Sequence, residues 1–133
     1  MIRDYAEFEW LIQHELALAK RYRRYLSLIF IRSGQAPHHM AENIQRFLRD
    51  CDAIYPLDDE FIFLLLSDTN KSGASKLVDR IRDTWALHET FIGVATFPSD
   101  NVNFRNFPAL AANRLRMQEE QASSTGIYNP EMA

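Results

Sequence analysis

Glycine is scarce in this 133-residue sequence, which has only Gly34, Gly73, Gly93 and Gly126. No two are spaced for a G-x-G-x-x-G turn, and none opens a G-x-x-x-x-G-K-S/T loop, so both Gly-rich phosphate cradles are absent. Cysteine is scarcer still. Cys51 stands alone, which excludes an internal disulfide and fits a reducing compartment. Long apolar runs are missing too: the longest, Phe61 to Leu66, falls far short of the roughly 20 residues that span a bilayer. Asp4, Glu7 and Glu9 stand where a leader would be basic and then apolar. Nor is there a basic excess. The formal net charge is −3, which argues against a general nucleic-acid or anionic-membrane surface. These absences lead to the expectation of a soluble cytoplasmic domain with no nucleic-acid or membrane partner. The one basic run, Lys20, Arg21, Arg23 and Arg24, falls in a helical pattern and reads as a solvated helix face.

What is present is enough for one core. Hydrophobic residues make up 47% of the chain, and the length suits a single domain. Phe8, Leu11, Ile12, Leu18, Ala19 and Tyr22 recur at three- and four-residue steps and predict a first helix. Leu26 to Ile31 is β-branched, aromatic and apolar on both faces, the pattern of a covered central strand. Residues 33–38 are loop-like, and a second helix is expected with Met40, Ile44, Phe47, Leu48 and Cys51 on its inner side.

Two strand-like runs, 53–55 and 61–66, are joined by the acidic segment Leu57-Asp58-Asp59-Glu60, which predicts an antiparallel hairpin. Ser72 is the expected cap of a third helix whose inner face is Ala74, Leu77, Val78, Ile81 and Trp85. A fourth strand covers 91–97 and stops at Pro98. A last helix follows Pro108, with Leu110, Ala111 and Leu115 inward. The domain is expected over 1–121. A polar tail fills 122–133, with a short edge strand at 126–128. The order α-β-α-β-β-α-β-α implies an α+β fold with a mainly antiparallel sheet and packed helices.

This order, together with local patterns, resembles the GGDEF domain, the diguanylate cyclase family that joins two GTP into cyclic di-GMP on a ferredoxin-like sheet. Glu15 to Tyr22 followed by Leu26-Ser27-Leu28-Ile29 is similar to the family's opening helix and first strand. Arg49 to Tyr55 is similar to the approach to its signature hairpin, Leu64 to Thr69 to the strand leaving it, and Ile92 to Asp100 to a late strand and turn.

The family's reaction needs a divalent metal held by carboxylates and a backbone that can approach a triphosphate. The resemblance places the signature at Asp58, Asp59, Glu60, Phe61 and Ile62 when counted without gaps. A second register reads Asp59-Glu60-Phe61 as the motif's "DEF", with Leu57 and Asp58 replacing the glycines. In both registers the two glycines are gone, and aspartate adds bulk and negative charge facing a phosphate. The family's metal-binding Asp at the end of the first strand corresponds to Arg32. The following base-reading loop is largely deleted, and the phosphate-binding Lys and Arg have no match in Gln118-Glu119-Glu120-Gln121. The expectation is a degenerate signature without catalytic residues or a cofactor.

One family feature keeps its spacing. Arg49-Asp50-Cys51-Asp52 reproduces the R-x-x-D motif that binds product cyclic di-GMP, five residues before Asp58. A guanidinium fork can engage phosphate or guanine O6/N7, and a carboxylate can accept from guanine N–H groups. A second R-x-x-D, Arg80 to Asp83, lies on a helix outside that context. The bland reading of Arg49 is a cation at a helix C-terminus, and that of Asp52 a turn residue. Asp58, Asp59 and Glu60 are only weak candidates for Mg²⁺ or Ca²⁺ and read first as a solvated acidic turn. His38-His39 make a poor metal pair because helix neighbours do not share a face.

Three functions stay open. The first is an inactive GGDEF-like regulatory module that binds cyclic di-GMP, or docks to a protein partner or a second copy. The second is a divergent diguanylate or other nucleotidyl cyclase using the acidic hairpin with Mg²⁺. The third is a ferredoxin-like domain alike in architecture only.

Overall fold

In a computed structural model, which describes residues 1–33, 37–84 and 90–124, eight elements follow in the expected order. They are α1 (Tyr5–Tyr22), β1 (Leu26–Ser33), α2 (Pro37–Gln45), β2 (Ala53–Pro56), β3 (Phe61–Ser67), α3 (Lys71–Thr84), β4 (Thr90–Phe97) and α4 (Phe107–Ser124). The strands form one sheet in the order β2-β3-β1-β4, with every pair antiparallel. This is the α+β, antiparallel arrangement expected from the sequence.

β1 is central and apolar on both faces because each face carries its own core. Leu28 and Phe30 join Phe8, Ile12 and Leu16 of α1 and Ala111 and Leu115 of α4. Ile29 and Ile31 join Met40 and Ile44 of α2 and Ala74, Leu77 and Ile81 of α3. Burying each of the leucine, isoleucine, phenylalanine and methionine side chains contributes about 1.5–3 kcal/mol. Two buried polar residues among those described, Ser27 and Thr96, face each other across β1 and β4 with their hydroxyls 2.9 Å apart.

Several boundaries correct the sequence reading. α1 buries Leu16, while Leu11 and Leu18 are half-buried and Tyr22 is exposed. The Tyr22 ring serves instead as a platform for the guanidinium groups of Arg21 and Arg24. α2 stops at Gln45, so Phe47 and Leu48 lie in the turns that follow it and Cys51 is exposed. α3 is capped by Asn70, whose side chain accepts from the Gly73 N–H at 2.9 Å, and Ser72 sits one residue inside the helix. β1 extends to Ser33 and α2 begins at Pro37, so the loop is shorter than 33–38. α4 begins one residue before Pro108 and continues to Ser124, past the expected domain end at 121. Trp85 and the strand expected at 126–128 lie outside the described residues.

Two features lock α4 onto the sheet. A Cβ at Gly93 would stand 1.9 Å from the Ala111 carbonyl oxygen and 2.5 Å from the Leu115 nitrogen, so glycine alone lets the helix backbone lie against β4. The outer backbone groups of β4 are also met by side chains. Arg82 Nη1 donates to the Thr90 carbonyl at 3.5 Å, and Gln118 Oε1 accepts from the Ile92 N–H at 2.8 Å. Arg114 Nη1 donates to the Val94 carbonyl at 2.7 Å, and Asp100 Oδ2 accepts from the Thr96 N–H at 2.8 Å.

Candidate functional site

The five signature positions divide at the mouth of the hairpin. Leu57 N–H donates to the Phe61 carbonyl at 2.9 Å, closing a tight turn over Asp58, Asp59 and Glu60. Asp58 folds back on that turn, its Oδ1 accepting from the N–H groups of Glu60 (2.8 Å) and Phe61 (3.0 Å). That is the turn-forming use of aspartate. Phe61 and Ile62 begin β3. Phe61 stacks on Phe30 with ring centroids 4.9 Å apart, and Ile62 is buried between Ile31 and Pro56.

Arg32 sits beside this turn, paired with Phe61 across β1 and β3. Its Nε is 3.1 Å from Glu60 Oε2 and its Nη1 is 2.9 Å from Glu119 Oε2. The guanidinium also lies 5.8 Å from the centre of the Phe61 ring. Three elements thus converge on one positive charge: the end of β1, the hairpin and α4. A divalent ion at this position would meet a fixed cation, with both nearby carboxylates already engaged. The residues present therefore do not fit the metal that the resemblance implies. No group of three or more metal-ligating side chains occurs among the described residues, so Asp58, Asp59 and Glu60 do not assemble into a ligand set, and His39 is exposed without such partners.

At the other end of β3 the structure brings Arg49 and Asp52 together. Arg49 Nε and Nη2 reach the two oxygens of Asp52 at 3.2 and 3.0 Å, a bidentate pair. Asp52 also accepts from the Arg49 N–H at 2.9 Å and the Ser67 N–H at 3.3 Å, and its side chain is only 4% exposed. Arg49 Nη2 donates further to the Thr69 hydroxyl at 2.8 Å and to the Ser67 carbonyl. The hydrogen bond to Asp52 raises the guanidinium pKa above its ordinary value. The pair is thus more than a helix-end cation and a turn residue; it ties the α2–β2 connection to the end of β3. Arg49 is half exposed, and its Nη1 has no hydrogen-bond partner among the described residues.

Arg49 and Asp52 line an open cavity of about 740 Å³, together with Tyr25, Thr69, Lys76 and Arg80. Arg80, set aside in the sequence as lying on an unrelated helix, is brought to the same cavity by α3. Sequence spacing alone had no way to join them; the i, i+4 step from Lys76 to Arg80 is the signal that both share a helix face.

A further ionic cluster, with no signal in the sequence pattern, lies at the end of β4. Asp100, just past β4, receives Arg114 at 2.7 and 2.9 Å, Lys71 at 3.2 Å and the Thr96 N–H. The Arg114 guanidinium holds its carboxyl well below the usual carboxylate range. Because the cluster joins α3, β4 and α4 and leaves Asp100 only 7% exposed, its role is structural.

No protein-family model and no curated protein matches the sequence. Solved structures do match, among them GGDEF domains and diguanylate cyclases. The GGDEF domain of YfiN (also TpbB) from Pseudomonas aeruginosa aligns with a TM-score of 0.82 at 19% identity, over 92% of each chain. The active GGEEF domain of a diguanylate cyclase from Vibrio cholerae gives 0.78 at 16% identity, over 87% of this chain and 90% of that one. The GGDEF domain of DgcB from Caulobacter crescentus, in complex with cyclic di-GMP, gives 0.77 at 10% identity, over 92% and 85%. The chain therefore has the GGDEF fold, as the resemblance implied. No helix among the described residues is long and apolar enough to cross a membrane.

Proposed function

We propose that this chain is a catalytically inactive GGDEF-like regulatory module of cyclic di-GMP signalling, and that it binds cyclic di-GMP at the Arg49–Asp52 cavity. The observation that carries the reading is the Arg32 guanidinium held between Glu60 and Glu119. It supplies from within the chain the positive charge that a cyclase takes from a metal, and it engages Glu60 of the signature in doing so. The Arg49–Asp52 pair is preorganised, and its free guanidinium edge faces an open cavity large enough for a nucleotide ligand. The cyclic di-GMP complex of the fold neighbour DgcB supports the choice of ligand class.

Titration calorimetry with cyclic di-GMP tests the ligand, and incubation with GTP and Mg²⁺ or Mn²⁺ tests the chemistry. The wild type is expected to bind, and Arg49→Ala to lose at least tenfold in affinity, the cost of removing one charge-assisted hydrogen-bonding group being about 1.5–3 kcal/mol. No cyclic product is expected from GTP. Absence of binding heat leaves docking to a protein partner or a second copy as the module's role. Turnover abolished by Glu60→Ala would instead establish the cyclase.

A further inference from the structure

The basic run near residue 20 is exposed throughout, as expected, but only Lys20 and Arg21 lie on the helix. α1 stops at Tyr22, and Arg23 takes φ 53° and ψ 49° as the helix cap. That left-handed geometry favours glycine or asparagine, so an arginine is held there against backbone preference. Lys20 and Arg21 lie in the last turn, where the helix macrodipole welcomes a cation; Arg23 and Arg24 lie beyond it. None of the four pairs with a carboxylate among the described residues.

Lys20, Arg23 and Arg24 instead rim a cleft of about 290 Å³ whose other walls include Tyr25, Phe97 and Pro98. The strand register explains its position. Leu26 pairs with Ser67 of β3 on one side and Phe97 of β4 on the other, so Tyr25, one residue earlier, stands between the two strand ends. On the β3 side lies the Arg49–Asp52 cavity, which Tyr25 also lines; on the β4 side lies the cleft. Tyr25 is 45% exposed and is the ridge between two adjoining compartments.

The compartments differ in charge. The cavity mixes Arg49, Lys76 and Arg80 with Asp52, Asp68 and Asp79, an array of donors and acceptors suited to a base edge. The cleft has three cations, no carboxylate and an aromatic and proline floor. That composition suits a phosphate beside a stacked ring.

Building on the ligand reading above, we propose that the cleft is a phosphate subsite and Tyr25 a base-stacking platform. The ligand is then a dinucleotide that spans Tyr25, with one nucleotide in each compartment.

Calorimetry with cyclic di-GMP and with GMP tests this on the wild type, Arg49→Ala, Tyr25→Ala and the double variant Arg23→Gly/Arg24→Ser. Glycine suits the φ of residue 23, so the double variant keeps the helix cap, and circular dichroism with thermal unfolding checks its fold. Tyr25→Ala and the double variant are each expected to weaken cyclic di-GMP about tenfold, the scale of one stacked base. The double variant is also expected to flatten the salt dependence of binding. Cyclic di-GMP affinity unchanged in both, with Arg49→Ala still impaired, overturns the spanning site alone. A wild type that binds neither ligand overturns the spanning site and the cyclic di-GMP reading together.

Discussion

The two ends of β3 use the same pairing, arginine with carboxylate, to opposite effect. At the hairpin end, Arg32 is shared between carboxylates from two other elements and lies over an aromatic ring, so the charge is offset within the chain. At the Ser67 end, Arg49 has one carboxylate partner and leaves a guanidinium edge toward an open cavity. The difference lies in the number of acidic partners and not in exposure alone. Two carboxylates more than offset the charge of a guanidinium, whereas one carboxylate pairs with it and orients it. A site can therefore close at one end of a sheet while the scaffold and the other end stay intact.

The strongest way to disturb that contrast acts through α4. Gly93→Ala drives a methyl into the helix backbone and is expected to cost about 3 kcal/mol in urea unfolding, the upper range for overpacking. Because α4 carries Glu119, the same change should release the Arg32 cluster while cyclic di-GMP binding at Arg49 persists. Simultaneous loss of both would show that the two ends are not independent.

Asp100→Asn comes next, with an expected loss of about 2 kcal/mol from charge-assisted hydrogen bonds. The folded pKa of Asp100 is depressed, so its contribution is complete above the unfolded value of about 3.9 and is lost as pH falls from there toward the depressed value. Thermal unfolding from pH 7 to 2 should show the wild type losing more stability below about pH 4 than the variant. Parallel curves would remove the assignment.

The smallest effect is expected at Arg32. Arg32→Ala should cost about 1 kcal/mol, because the pairs are partly solvated. It should also leave Glu60 and Glu119 facing each other without a counter-charge, so that millimolar Mn²⁺ or Ca²⁺ raises the unfolding midpoint of the variant and not of the wild type. An equal response in both proteins would mean that the guanidinium does not act as a stand-in cation.

The fold was legible because its period signals were strong. β1 is apolar on both faces and the helices carry clear stripes, so element order, antiparallel hairpin and layering all follow from local pattern. The GGDEF fold was likewise readable from the order and spacing of short segments. Helix ends were less so: Asn70 and Ser72 are both good caps by residue type, and it is Asn70 whose side chain accepts from the Gly73 N–H. The meeting of Arg49 with Asp52 was legible at three-residue spacing. Arg32 with Glu119, and Arg80 with the Arg49 cavity, were not, since these partners are far apart in sequence and joined only by packing.

The side chains that meet the outer backbone groups of β4 have a kinetic consequence. The N–H groups of Ile92 and Thr96 are held by a glutamine and an aspartate side chain, not by a neighbouring strand. Their release needs rotation of a side chain, whereas the amides between β1 and β3 are released only when the sheet itself parts. In deuterated solvent these two protons should exchange well ahead of their neighbours in the ladder, reporting on α4 and Asp100 while the rest of the sheet stays shut.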